Sequence, residues 1–458
     1  MLAKHQCYTT PVQLPAAKKK KQCHSASGGA LFGGVAARVT TRDSSWEMET
    51  PPATILLTTP LHLVLSLPQH PSMEVEVPIE WLWDNREEGR DPASGQRLHS
   101  ASSLPAALAL HSAALTHALP PPVPPPANFV TLGVCAPTPA HPVPYLSFSF
   151  ASGSGAAEQA RVRLAVVEEA CARGAEERAA PHACSPALAP LPPQHPPRFP
   201  SALAALPPLP PSSPAAAAHA RLRQWGLVVL QPAAPGDTPA EISVLEVASR
   251  LGTITETNYG RLFDVRAEAQ PTNLAFTPLP LDLHTDNPYR EPVPGYQALT
   301  CLKQARAGGE TLFCDGWGVA AELAAAHPAH AALLLASPLT FRYADAGAQL
   351  SARRCVLAGS GAREVAYNAR SQVALALGSG RTASDVRSLY AALGSFEGLC
   401  KEERHMARVL LSPGQTVVWD NQRLLHGRAA FEGPRHLQGC YISKDSVLSA
   451  AAVALDRG

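Results

Sequence analysis

The chain predicts a mainly β fold with flanking helices, built over residues 221–458, and three observations carry that expectation. Short apolar runs follow one another closely, each bounded by Pro or Gly turns: PGYQALTCL, GETLFCDG, PLTFRY, REVAYN, QTVVWDN and LQGCYIS. Only two long helical patterns interrupt them, WGVAAELAAAHPAHAALLLAS and ASDVRSLYAALGSFEGLC. Many short strands with few helices make a β-sandwich or jelly roll, and the span is long enough for a full core.

Taken from the start, residues 1–72 read as a targeting or disordered segment. The first acid is Asp43, and before it stand Lys18 to Lys21, Arg38, Arg42 and several Ser and Thr. An organellar transit peptide has that composition, and so does a disordered basic tail. The expected location is mitochondrial or cytoplasmic, with the acid-poor start favouring the former. Residues 73–100 form a short ordered piece. Its core, EVEVPIEWLWDNREEGRDPASGQRL, opens with strand-like alternation and ends in turn residues. Residues 101–220 hold 24 of the 46 prolines and long alanine runs, so they predict mostly loop. One helical island is expected there, at EQARVRLAVVEEACARGAEERAA. At Arg221 the character changes: RLRQWGLVVLQ reads as a helix end running into a buried strand. PAEISVLEVASRLG then has the spacing of a helix closed by Gly252.

Bulk properties remove several function classes. Charged residues make up 16% and the net charge is +1, so no global field draws the chain to nucleic acid or to an anionic membrane. No apolar window of transmembrane length is free of charge or proline. Ten scattered cysteines form no CxxC pair, which excludes a zinc finger or a dense disulfide framework and favours a reducing compartment.

The chemistry begins at HTD, His284 to Asp286. On a strand, residues i and i+2 share a face, so imidazole and carboxylate can address one ion. A surface turn reads the same way, and the motif alone does not separate the two. The segment VVWDNQRLLHGR adds His426 after a strand and turn. Two His and one Asp form the facial triad that leaves positions open on iron for a keto acid and O2. A zinc hydrolase can also use three such ligands. Arg435, nine residues beyond His426, and Thr311 decide between them. A bidentate guanidinium with a hydroxyl suits the far carboxylate of 2-oxoglutarate.

These segments resemble the γ-butyrobetaine dioxygenase and trimethyllysine dioxygenase branch of the TauD-like family. The resemblance is carried by TNYGRLFDV (257–265), NLAF (273–276), HTDNPYREPVPGYQALTCL (284–302), GGETLFCDGW around Thr311, and PGQTVVWDNQRLLHGRAAF with RHLQGCY (413–441). It covers residues 222–458. It implies a double-stranded β-helix, a cupin-like jelly roll, preceded by a small N-terminal β domain that is degenerate here. It implies Fe(II) on His284, Asp286 and His426, 2-oxoglutarate on Arg435 and Thr311, and ascorbate as a supporting reductant. It further implies an aromatic cage for a trimethylammonium group from Tyr259, Phe263, Phe276 and Tyr441, and contact of Asn273 with a substrate carboxylate. Two cage positions where the family can have Trp and Tyr are Phe. In animal members the small domain holds zinc. Here residues such as Arg86 and Glu87 stand at its cysteine positions, so no zinc is expected. The implied reaction hydroxylates γ-butyrobetaine to carnitine, consuming O2 and 2-oxoglutarate, and the implied assembly is a homodimer. Trimethyllysine or trimethylaminoethylphosphonate hydroxylation uses the same residues, and a catalytically inactive binding protein keeps the same fold.

Overall fold

The computed structural model describes residues 53–91, 96–118, 142–152, 157–179, 207–210, 213, 215–231, 243–267, 274–345, 347–359, 362–378 and 380–456. The proposed transit peptide, most of the proline clusters and Asn273 lie outside these residues. The described residues all belong to one compact unit, Thr50–Gly458.

Two sheets organise the C-terminal half. The larger contains β7 (Leu227–Leu230), β8 (Ile254–Thr255), β9 (Phe263–Arg266), β11 (Tyr296–Lys303), β16 (Thr416–Asp420) and β18 (His436–Ile442), in the order β7-β16-β11-β18-β8 with β9 also on β18. The smaller contains β10 (Leu281–His284), β12 (Thr311–Asp315), β15 (Met406–Val409) and β17 (Leu424–Arg428), in the order β10-β17-β12-β15. Every pairing in both sheets is antiparallel.

Their inner faces share one core, in which Leu299, Val417, Trp419 and Leu437 of the larger sheet meet Phe313, Ala407 and Leu424 of the smaller. Strand alternation then assigns the outer faces. Tyr296, Ala298 and Val418 pack under α3 (Ala215–Trp225), α4 (Val244–Ser249) and α8 (Lys444–Asp456). Cys314 and Leu425 face a second cluster with α5 (Gly316–Ala326), α6 (Pro328–Ala336) and α7 (Ala383–Cys400). The single helix expected over 317–337 is thus two, because Pro328 cannot continue the first and starts the second. A further hairpin, β13 (Leu339–Ala344) with β14 (Gln349–Arg354), forms a separate two-stranded sheet.

The N-terminal half departs from the sequence expectation. Strands β1 (Thr54–Thr58), β2 (His62–Leu67) and β3 (His70–Pro78) make a three-stranded sheet, two of them wholly within the span read as targeting or disordered. WLWDN lies in a helix, α1 (Ile79–Asn85), within a piece expected to run from a strand into turns. Strands β4 (Leu108–Ala118), β5 (Val143–Ser152) and β6 (Glu158–Arg163) form another sheet inside the Pro/Ala-rich span, followed by α2 (Leu164–Ala179) at the expected helical island. The cause is local alternation that the regional composition hides. Leu63, Leu65 and Leu67 on β2, and Leu146, Phe148 and Phe150 on β5, all point into the core that α7 closes. Among the described residues no helix is long and apolar enough to cross a membrane, and the six described cysteines are all buried.

Candidate metal and co-substrate site

β10 and β17 bring the two histidines together. His284 pairs with His426 across the ladder, and their ring centroids lie 4.3 Å apart. Asp286 does not arrive by strand alternation, since β10 ends at His284. It sits in the following turn, whose next residue, Asn287, takes a left-handed φ of 54°. Asn421 fixes that turn: its side-chain oxygen accepts from the Asp286 N–H at 2.8 Å, and its amide donates to the Asp286 and Pro294 carbonyls at 3.0 Å. Asp286 Oδ1 then stands 3.4 Å from His284 Nε2 and 3.9 Å from His426 Nε2. One ligand atom from each of the three lies within 4.8 Å of the others.

The surroundings select the state of each group. His284 Nδ1 lies 2.8 Å from the Asp282 carbonyl, so it carries the proton and leaves the Nε2 lone pair toward Asp286. Burial pushes His426 down to about 3, with the neighbouring His284 adding to it, and pushes His284 down with help from Arg370. Both rings are therefore neutral near pH 7. Burial opposes ionisation of Asp286, but His284, His426 and the Tyr441 hydroxyl outweigh it and hold the carboxyl well below the usual range. Tyr441 donates to Asp286 Oδ2 at 2.8 Å, leaving Oδ1 on the side of the imidazoles. Two neutral imidazoles and one carboxylate, buried together with lone pairs convergent, fit a divalent metal with nitrogen and oxygen preference.

Two guanidinia lie along the same strands with different duties. Arg428, at the end of β17, donates through its two terminal nitrogens to the carbonyls of Ala275, Thr277 and Leu279 at 2.9, 2.5 and 2.7 Å, so that end of the guanidinium is held by the backbone, while its Nε is buried without a hydrogen-bond partner. Arg435 is buried, and its one hydrogen bond among the described residues runs to the Gly309 carbonyl at 3.1 Å. Burial lowers Arg435 to about 10, which leaves it charged at neutral pH. Gly309 makes the approach possible: it has φ +80°, and a Cβ there would meet Arg435 Nε at 3.0 Å. Thr311 lies buried two residues on, opposite Arg428 in the ladder.

Of the aromatic residues singled out in the sequence, Tyr259, Phe263 and Tyr441 come together, with centroids 6.3 Å apart for the first pair and 5.1 Å for the second. Phe276 sits half-buried on the turn Leu274–Phe276, and no ring contact among the described residues joins it to them. Sequence reasoning passed over Asn421, Tyr289, Tyr343 and Arg370. The first two stand inside quoted motifs, at positions to which the resemblance gave no role. Arg370 and Tyr343 carry no spacing signal. Arg370 lines a cavity of about 250 Å³ together with His284, Asn368, Arg97, His99 and Lys401, and among the described residues nothing hydrogen-bonds its guanidinium.

Comparison with known proteins gives a consistent neighbourhood. Residues 189–441, more than half of the chain, match the family model described as taurine catabolism dioxygenase TauD, TfdA family. The chain is 35% identical over 237 residues to a γ-butyrobetaine dioxygenase of Pseudomonas sp. (strain AK-1), covering 51% of this chain and 60% of that protein. It is 31% identical over 221 residues to a mitochondrial trimethyllysine dioxygenase of Rattus norvegicus, covering 47% and 52%. The chain thus spans a little over half the length of these curated relatives. Among solved structures it is similar to PvcB, an Fe, α-ketoglutarate dependent oxygenase, at 21% identity and a TM-score of 0.38, over 52% of this chain and 83% of that one.

Proposed function

The chain belongs to the TauD, TfdA family, and from that premise we propose that it is an Fe(II)- and 2-oxoglutarate-dependent hydroxylase of a trimethylammonium substrate, with γ-butyrobetaine, giving carnitine, as the first candidate. The observation that carries the reading is the convergence of His284 Nε2, His426 Nε2 and Asp286 Oδ1 within 4.8 Å in a buried pocket. Those three atoms would hold the iron. When bound, ferrous iron couples the oxidative decarboxylation of 2-oxoglutarate to hydroxylation of an unactivated C–H bond.

The protein's own contribution is placement and charge. Arg435, with donors to spare and its charge retained, anchors the far carboxylate of 2-oxoglutarate, and Thr311 offers that carboxylate a hydroxyl. Tyr441 holds Asp286 through Oδ2 and also turns a ring toward Phe263, so one residue couples the metal ligand to the substrate pocket. The aromatic cluster excludes water and presents ring faces, the recognition open to a cation with no N–H to donate. Arg370, which lines a cavity together with His284, provides a cation for an anionic substrate end. That balance of cage and arginine suits a zwitterion of either kind, carboxylate or phosphonate.

The test is a panel of γ-butyrobetaine, trimethyllysine and trimethylaminoethylphosphonate with iron, 2-oxoglutarate and ascorbate. The expected result is substrate-dependent succinate release, with one panel member gaining a single oxygen by mass spectrometry. Absence of succinate with every member, in protein that retains iron, overturns the proposal and favours a binding protein on the same fold.

A further inference from the structure

Five aromatic rings meet beside Asp286, and two of them come from outside the set that the family resemblance assigns. The row runs Tyr441, Phe263, Tyr259, and continues to Tyr343 at 5.6 Å from Tyr259 and to Tyr289 at 5.3 Å from Tyr343. Tyr343 and Tyr289 are stacked, with 23° between their planes. Tyr289 follows Asp286 by three residues, whereas Tyr343 is carried in by β13.

The added rings are held in place. Tyr289 donates its hydroxyl to Asn287 Oδ1 at 2.6 Å and lies 3.0 Å from the Tyr259 hydroxyl. Tyr343 donates to the Asp345 carboxylate, which also accepts the N–H groups of Gly347 and Ala348 at 2.7 and 2.6 Å. Partial burial opposes ionisation of Asp345, but these three donors outweigh it and keep the carboxyl below the usual range. A fixed anion therefore stands at the outer end of the row. The hairpin is docked rather than free. Arg342 N–H donates to the Ser371 carbonyl at 2.8 Å, Val373 N–H to that of Thr340 at 3.0 Å, and Arg354 Nε to that of Pro288 at 2.9 Å.

From this we infer that Tyr343, backed by Tyr289 and Asp345, is a specificity-determining wall of the quaternary-ammonium pocket, added by the β13–β14 hairpin. The inference rests on the trimethylammonium reading above. The physical need for it is local. Phe263 and Phe276 offer weaker quadrupoles than the residues the family can place there, and no ring contact among the described residues joins Phe276 to the cluster. A tyrosine face whose hydroxyl donates to a carboxylate restores negative potential where a methylated cation would sit.

The experiment measures binding and turnover in parallel. Binding uses calorimetry on the protein loaded with Mn(II) and 2-oxoglutarate, with γ-butyrobetaine and 5,5-dimethylhexanoate, the isostere whose tert-butyl end carries no charge, as ligands. Tyr343→Ala is expected to raise Kd and KM for γ-butyrobetaine about tenfold and to leave kcat within about threefold. Its Kd for the isostere should move by less than about threefold, so the preference for the cation shrinks. Tyr343→Phe, which keeps the ring, should lose only about two- to threefold. Equal weakening of both ligands, or an unchanged γ-butyrobetaine Kd in Tyr343→Ala that melts like the wild type, overturns the inference and leaves the hydroxylase reading standing. A wild type that binds the isostere as well as the cation overturns the trimethylammonium reading, and the wall falls with it.

Discussion

Arg435 is the sharpest test of the co-substrate site, because the structure offers a neighbouring arginine as an internal control. Arg428 ties both terminal nitrogens to three carbonyls, whereas Arg435 makes one hydrogen bond among the described residues, to Gly309. A carboxylate gripped by two of the Arg435 N–H groups gains two charge-assisted hydrogen bonds, each worth about 1.5–3 kcal/mol net. Removing the fork while water enters its place should forfeit about 3 kcal/mol, roughly a 150-fold rise in KM for 2-oxoglutarate. Arg435→Lys keeps a charge but not the fork, so about half that loss, roughly tenfold, is expected. The assay is succinate release at saturating iron and substrate with 2-oxoglutarate varied, run beside a thermal melt. Should Arg435→Ala shift this KM by less than about threefold while melting like the wild type, the anchor lies elsewhere, with Arg370 the next to examine.

Three further outcomes follow from the same geometry. His284→Ala, Asp286→Ala and His426→Ala should each purify with little iron, measured by elemental analysis, and lose succinate release. A variant that keeps stoichiometric iron refutes its residue as a ligand. Arg428→Ala should destabilise by about 2 kcal/mol, because one buried and two partly buried hydrogen bonds to carbonyls are lost, and should lower the melting temperature while moving the 2-oxoglutarate KM less than Arg435→Ala does. Asp84 governs acid stability. Burial would raise its carboxyl, but Arg97, His99 and Tyr390 outweigh burial and hold it at about 2, against 3.8 unperturbed. Its folded value is depressed, so the stability it lends is present above about pH 4 and lost as pH falls through about 2. It amounts to roughly 2 kcal/mol. Asp84→Asn should flatten that arm of the pH–stability curve, and an unchanged arm in denaturant titrations would refute the assignment.

Much of the C-terminal half is legible because its strands are buried and bounded by turns, as TVVWD and YQALTCLK are. The iron-ligand candidates are legible for a chemical reason: imidazole, carboxylate and arginine are rare enough together to stand out. What escapes is whatever composition averages away. β5 carries its apolar residues in alternation, yet it sits in a span with 24 prolines that dominate the regional composition. The route of Asp286 into the site escapes too. Period-two reasoning pairs His284 with Asp286 on one strand face, whereas the structure brings them to 3.4 Å through a turn, where Asn421 and a left-handed Asn287 do what a strand was expected to do. Tyr343 and Arg370 come from segments with no motif of their own, and only packing brings them near.

The meeting of His284 and His426 is a matter of register, and the core sets the register. Along β17 the side chains of Leu424, His426 and Arg428 share one face, while Leu425 and Gly427 take the other. Leu424 belongs to the core between the sheets, and Leu425 to the cluster under the helices. A slip of one residue would exchange those faces, expose each leucine to the wrong surroundings and turn His426 away from His284. Gly427 narrows the choice further: a Cβ there would stand 2.6 Å from the Leu281 carbonyl, too close for β10 to pair. Phe313 opposite His426, and Cys314 opposite Leu425, repeat the same constraint from β12. The hydrophobic pattern that specifies the sandwich is thus also what aims the imidazoles.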